Sequence, residues 1–419
     1  MIVSPESCWT LHVGRRFPNR TKETFIVASR VCAMTFLVVL VLAALAQAQT
    51  FNTLYDFTGG TDGGNPYAGL IQDPAGNLYS TTSEGGDLSC GSKNGCGVVF
   101  KMNTAGKETV LHSFTRSDGS GPVAPLTRDK AGNLYGTTFA GGSNGQGAVF
   151  KIDKAGSETV LYSFTGGSDG CNPYQGLVRD KAGNLYGTTE SCGSSSFYGT
   201  IFKVVSAGKF TVLHVFNGGS SDGANPFYGH LTMDKTGNLY GVTGAGGASG
   251  KGLLYKLSKK GTFTVLHSFA GGTSDGCSPN GSVVQDKAGN LYGTTFGCGS
   301  NSRGTIWKVS KNGNETILHN FAGGTSDGCI PVAGVTRDSK GNLYGVATAC
   351  GANTYGVLYE LGVSGAITLL HSFDSSDGAW PYGEVWRAGN GALFGTTYIG
   401  GDLNCNHPNG CGTVWSYVP

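Results

Sequence analysis

From residue 49 onward the chain alternates short runs of β-branched and aromatic residues with stretches rich in Gly, Asn, Asp and Ser. Four kinds of run recur in a fixed order. One follows a proline, as in Pro173-Tyr174-Gln175-Gly176-Leu177-Val178-Arg179-Asp180. Next comes Asn184-Leu185-Tyr186-Gly187-Thr188-Thr189, and then a run after a glycine, such as Gly97-Val98-Val99-Phe100-Lys101. The last is Glu108-Thr109-Val110-Leu111-His112-Ser113-Phe114 and its relatives. Runs of this kind bounded by turn formers read as strands, so each period predicts four.

The period is set by Gly-Asn-Leu-Tyr, whose leading glycines are Gly76, Gly132, Gly183, Gly237, Gly289 and Gly341, with a worn copy at Gly391. Successive steps are 56, 51, 54, 52, 52 and 50 residues. Asp180-Lys181-Ala182-Gly183 predicts a three-residue hairpin with Gly183 at positive φ and the aspartate accepting backbone N–H bonds. Four-stranded antiparallel units in radial array make a β-propeller. The ends fit closure: Phe51-Asn52-Thr53-Leu54-Tyr55-Asp56-Phe57 matches the fourth run and Gly412-Thr413-Val414-Trp415 the third. Pairing them completes seven blades and leaves no exposed edge. A right-handed β-helix would not need that offset.

Composition places this array. The chain has 72 glycines in 419 residues, 13% charged and 11% aromatic residues, which suits many short strands rather than helices or disorder. Arg15, Arg16, Arg20, Lys22 and Arg30 precede an apolar run from Val31 to Ala46, and Ala46-Gln47-Ala48 resembles a cleavage site. The run is shorter than the ~20 residues of a membrane span, so residues 1–48 are expected to be a signal peptide, with an uncleaved anchor as the alternative. Its removal takes away five Lys/Arg and two Asp/Glu, leaving 24 basic and 25 acidic residues. With no basic stripe, nucleic acid is excluded as a partner. No second apolar stretch follows, so no membrane association or carboxy-terminal anchor is expected after processing. The expected product is a secreted monomer, extracellular or periplasmic, with residues 49–419 forming one propeller.

Ten cysteines remain after processing. Cys171/Cys192, Cys277/Cys298 and Cys329/Cys350 are each 21 apart and nearly symmetric about their unit's first hairpin, where opposed positions approach one another. Cys90/Cys96 and Cys405/Cys411 share a slot between the second and third runs. Five register-matched pairs predict disulfides and an oxidising compartment rather than metal ligation.

The phrase Asp-x-x-Gly-Asn-Leu-Tyr-Gly-Thr-Thr, preceded by Asp-Gly-x-x-Pro and followed by Gly-Val-Val-Phe-Lys, resembles the Gloeo/Verruco (GloVer) tandem repeat of secreted bacterial proteins. The likeness covers residues 51–419 and implies export and often surface attachment through varied C-terminal anchors, but no particular activity. The sequence displays no such anchor, so surface retention is without support. A looser likeness to propeller lyases and lactonases with Asp-x-x-Gly-x-Leu-Tyr turns reflects blade geometry.

Candidate chemistry is sparse. Asp62, Asp118, Asp169, Asp222, Asp275, Asp327 and Asp377 each precede a glycine ahead of the first run. Calcium could use such loops, but each offers one carboxylate, so turn-forming aspartates are expected and no cofactor or metal. His112, His214, His267, His319 and His371 share one outer-strand slot, with Tyr55 and Tyr162 replacing them elsewhere, and read as structural. One inner-strand slot holds Gly69, Pro125, Gly176, His230, Ser282, Gly334 and Glu384. His230 and Glu384 break a small-residue pattern there and are the candidate catalytic or cation-holding pair. Tyr67, Tyr174, Tyr228, Tyr382 and Trp380, with Phe227, are candidate ligand-binding aromatics expected to ring the same face. No nucleophile elbow, zinc-protease helix or phosphate loop occurs. The expectation is a non-enzymatic module binding glycan or an envelope protein. A cation-dependent hydrolase or lyase is the alternative, and a purely structural envelope protein a third possibility.

Overall fold

The computed structural model describes residues 49–194, 198–206, 208–227, 229–406 and 408–419. The expected signal segment, 1–48, and Tyr228 lie outside the described residues. Residues Thr50–Val418 form one unit built of seven four-stranded antiparallel sheets, a seven-bladed β-propeller. Blade three shows the plan, with Val178–Arg179, Leu185–Thr189, Thr200–Val204 and Phe210–Val215 pairing in that order from the axis outward. The seventh blade takes its outermost strand from the amino terminus: Thr50–Asp56 pairs antiparallel with Thr413–Val418, from Thr50↔Val418 to Asp56↔Thr413.

The first hairpin of each blade is held by its aspartate. Asp180 Oδ1 accepts the N–H groups of Ala182 and Asn184 at 2.9 Å, and Oδ2 accepts Asn184 Nδ2 and the Tyr186 hydroxyl at 2.7 and 3.0 Å. Gly183 sits at φ +91°, in the left-handed region the turn requires. One carboxylate therefore ties both the turn and the Asn and Tyr of the repeated tetrapeptide. These bonds to the ionised form hold the Asp180 carboxyl below the usual range, against the opposing effect of burial.

The innermost strand differs from its expected extent. The run Pro173–Asp180 pairs only at Val178–Arg179. Blade five is the exception, with Gly276–Gln285. Near the axis the backbones crowd: a Cβ on Gly176 would lie 2.7 Å from the Pro125 carbonyl. There Gly176 N–H turns to the carbonyl of Gly229 in the neighbouring blade at 2.8 Å. Hydrogen bonding passes between blades because convergence on the axis leaves no room to follow the ladder.

Farther out the blades are sealed by aromatics. A fully buried Phe at the end of each outer strand meets the third-strand aromatic of the next blade: Phe57–Phe100, Phe114–Phe150, Phe164–Phe202, Phe216–Tyr255, Phe269–Trp307, Phe321–Tyr359 and Phe373–Trp415. Centroids lie 5.1–5.8 Å apart around the whole ring. The glycine of Leu-Tyr-Gly-Thr-Thr makes space for that aromatic, since a Cβ on Gly187 would lie 2.6 Å from Phe202 Cζ.

Candidate ligand site in the axial channel

The innermost strands of all seven blades enclose an open cavity of about 980 Å³. Its walls are apolar, with Leu70, Leu126, Val178, Val284 and Trp386 among them, and its rim carries Asp234, Lys235, Asp286, Lys287 and Arg337. A small recess of about 20 Å³ lies on the other side of the shared boundary formed by Gly69, Pro125 and Glu384. That is room for a single water at most, so the channel is a funnel pinched at one end. Packed backbones make the pinch: a Cβ on Gly69 would stand 2.7 Å from the Glu384 carbonyl.

At this floor the two pattern-breaking residues meet. His230 Nε2 lies 3.6 Å from Glu384 Oε2, with side chains 39% and 23% exposed. The remaining atoms of the pair are committed to the protein. His230 Nδ1 lies 2.9 Å from the Leu231 carbonyl oxygen, which can only accept, so Nδ1 carries the hydrogen. Glu384 Oε1 accepts the Ser282 N–H at 2.8 Å, and Ser282 Oγ accepts the His230 N–H at 2.7 Å. Three blades are thus bound together, and Gly334, in the intervening blade, leaves the passage that Glu384 needs; a Cβ there would lie 2.9 Å from Oε1. With Nδ1 protonated, a neutral His230 presents Nε2 as an acceptor toward another acceptor. That arrangement is satisfied by a proton on Nε2, by a ligand offering two donors, or by a cation.

Among the described residues the candidate aromatics form an arc of ring contacts. Tyr67 stacks on Tyr382 at 4.5 Å and meets Tyr174 edge-on at 6.0 Å, and Tyr174 stacks on Phe227 at 4.4 Å. Tyr398 and Phe139 add edge-on contacts to Tyr67 and Tyr174 at 5.5 and 5.2 Å. Tyr67, Tyr174 and Tyr382 line the small recess, not the large cavity. The expectation that they share a face with the His230–Glu384 cavity is corrected, because the inner strands carry them to opposite sides of the pinch. Trp380 stands apart, 41% exposed, at φ +55°.

The recurrent histidines and aspartates resolve into one device. His112, His214, His319 and His371 contact Asp118, Asp222, Asp327 and Asp377 through Nε2 at 2.7–3.0 Å. Tyr55 and Tyr162 reach Asp62 and Asp169 through their hydroxyls at 3.0 and 2.9 Å. The seventh pair, His267 with Asp275, stands at 3.4 Å. Each aspartate also braces the loop to the next blade, as Asp169 does through the Thr165 N–H at 2.7 Å and its hydroxyl at 2.6 Å. Sequence inspection treated the two slots separately. Their joint recurrence at separations of six to eight residues was the available signal.

All five expected disulfides form: Cys90–Cys96, Cys171–Cys192, Cys277–Cys298, Cys329–Cys350 and Cys405–Cys411. In the 21-residue set the partners are diagonal rather than directly opposed, since Cys171 faces Ser191 across the strands. This density of bridges points to an oxidising extracellular or periplasmic setting. Among the described residues no helix is long and apolar enough to cross a membrane.

Fold and channel together define a disulfide-braced, seven-bladed propeller with an axial cavity open at one end. Residues 88–286 and 246–419 match the Gloeobacter/Verrucomicrobia repeat, and the chain belongs to that family. No curated protein matches it. Similar solved structures include a gluconolactonase from Xanthomonas campestris, 12% identical with a TM-score of 0.46 over 90% of this chain and 92% of that one. Others are a putative gluconolactonase (10%, 0.41, 88% and 92%) and a luciferin-regenerating enzyme (12%, 0.43, 89% and 96%).

Proposed function

We propose that this protein is an exported binding module whose axial cavity takes a hydroxyl-rich ligand, a glycan end or envelope saccharide. The carrying observation is the pair of acceptors, His230 Nε2 and Glu384 Oε2, 3.6 Å apart on the cavity floor with their partner atoms already engaged. Two neighbouring hydroxyls on a sugar can each donate to one of them, and the apolar walls with Trp386 suit the ring's C–H faces. The tyrosine arc offers a second contact region for a longer chain on the other side of the pinch.

A glycan array with the purified protein, followed by calorimetry on any hit, tests this reading. Binding is expected to fall at least tenfold in E384Q, which replaces an acceptor atom with a donor while a carbonyl remains for Ser282 N–H. It is expected to fall likewise in H230S, which installs the side chain native to the same slot in blade five. Silence across plant, fungal and bacterial glycans counts heavily against the proposal.

A second reading rests on the same geometry: an imidazole and a carboxylate within reach of one substrate atom suit a hydrolase or lyase, with or without a cation. Turnover of glycoside, lactone or uronide substrates that is lost in both variants would favour it. The purely structural reading expects a channel lined by backbone and small residues, and the charged rim and histidine floor speak against that.

A further inference from the structure

Outside the channel, a residue at or next to the start of six outer strands lies against the preceding blade's His–Asp or Tyr–Asp pair. Phe210, Phe263 and Phe51 stack there on Tyr162, His214 and His371 at 3.9, 4.1 and 3.7 Å. Glu108, Glu158 and Glu315 occupy the same slot facing Asp62, the His112–Asp118 pair and the His267–Asp275 pair. A carboxylate in place of an aromatic ring, set against a second carboxylate, needs a physical reason.

We propose that His267, Asp275 and Glu315 bind a divalent first-row cation of the zinc or manganese class, clipping blade four to blade five. One ligating atom from each of the three residues lies within 4.8 Å of the others. His267 Nε2 and Glu315 Oε1 are buried and have no hydrogen-bond partner among the described residues. Asp275 spends one lone pair of each oxygen on a backbone N–H, Oδ2 from Ala270 at 2.7 Å and Oδ1 from Gly276 at 2.6 Å, so further lone pairs remain.

The sister seams supply the contrast. His112, His214, His319 and His371 close onto their aspartates at 2.7–3.0 Å, whereas His267 stands off at 3.4 Å without a hydrogen bond. A ligand-to-ligand spacing of about 3.3 Å is what a tetrahedral ion imposes with bonds near 2.0–2.1 Å. At the seam with the same residue types, Glu158 faces an imidazole whose Nε2 is already paired with Asp118 at 3.0 Å. An imidazole with two carboxylates suits zinc or manganese rather than calcium, which takes oxygen ligands.

The test uses tag-free protein stripped with chelator, then melted with zinc or manganese and dialysed for elemental analysis. One equivalent of metal is expected, with a rise in melting temperature of at least about 3 °C at about 100 µM metal. E315Q and H267Y should each lose both effects, read for each variant as the difference between its own melting temperatures with and without metal. H267Y installs the residue that this slot carries at Tyr55 and Tyr162, so the fold tolerates it. H112Y should keep the metal effect. Retention by either E315Q or H267Y, or absence of stoichiometric metal and of any shift in the parent, overturns the proposal.

Discussion

Glu108 and Glu158 make the propeller's stability depend on pH in a direction that can be worked out in advance. Each has a buried Oε1 without a hydrogen-bond partner. Burial pushes both carboxyls up to about 7, helped by Asp62 beside Glu108 and by Asp118 near Glu158, where His112 acts in opposition. A rise of about 2.5 units corresponds to at most about 3.4 kcal/mol per group. Both side chains are half-exposed, so solvent screening reduces this to about 1 kcal/mol each. The folded state holds these protons more tightly than the unfolded chain. Their contribution is therefore fully present below about pH 4.5 and is lost as pH rises through about 7. The E108Q/E158Q double variant keeps the neutral form's shape and cannot ionise. Urea unfolding at pH 4.5, 6 and 8 should give equal stabilities for parent and variant at pH 4.5, with the variant ahead by about 2 kcal/mol at pH 8. The turn aspartates, held below their usual range, act mainly below pH 4 and are common to both proteins. An unchanged pH slope in the double variant would refute the reasoning, because the strain would then lie in other groups.

Removing a loop brace should cost more than an ordinary surface change: D169A strands the Tyr162 hydroxyl and the Thr165 N–H and hydroxyl, for a loss of about 2–4 kcal/mol in denaturant unfolding. G187A should destabilise by about 1–3 kcal/mol because its methyl has no room beside Phe202, and G187A/F202L should lose less than the sum of the single variants. The C171S/C192S variant, which lacks one bridge closing a 21-residue separation, should lose about 3 kcal/mol on chain-entropy grounds, seen as a lower melting temperature. In the channel, E384Q and H230S should weaken glycan binding without shifting the melting temperature, since each keeps a residue type or shape the floor accommodates.

Much of the fold was legible because the information is local. Hairpin turns, strand order and disulfide partners all lie within one period, and a period of about 50 residues repeats seven times, so each reading is checked by its copies. The seventh blade was legible because the amino terminus carries one of its strands and the carboxy-terminal segment the other three. Radial facts were harder. The shortened inner strand follows from crowding at the axis, which no single unit encodes. Gly187 and Phe202 are both visible in sequence, but that one makes room for the other depends on the register between the second and third strands. The tyrosine arc and the large cavity were expected on one face because neither reading knew where along the inner strand the channel closes.

By itself the sequence determined how many blades there are, how the ring shuts, which cysteines bond, and which two residues break the inner-strand pattern. The tertiary structure alone decided that these two meet. His230 and Glu384 are 154 positions apart, in blades four and seven, and their contact depends on Glu384 reaching past Gly334 to Ser282. Repeat periodicity reports contacts inside a unit. It is silent about contacts across the axis, because those depend on how tightly seven units converge, and that is set by packing of the whole ring.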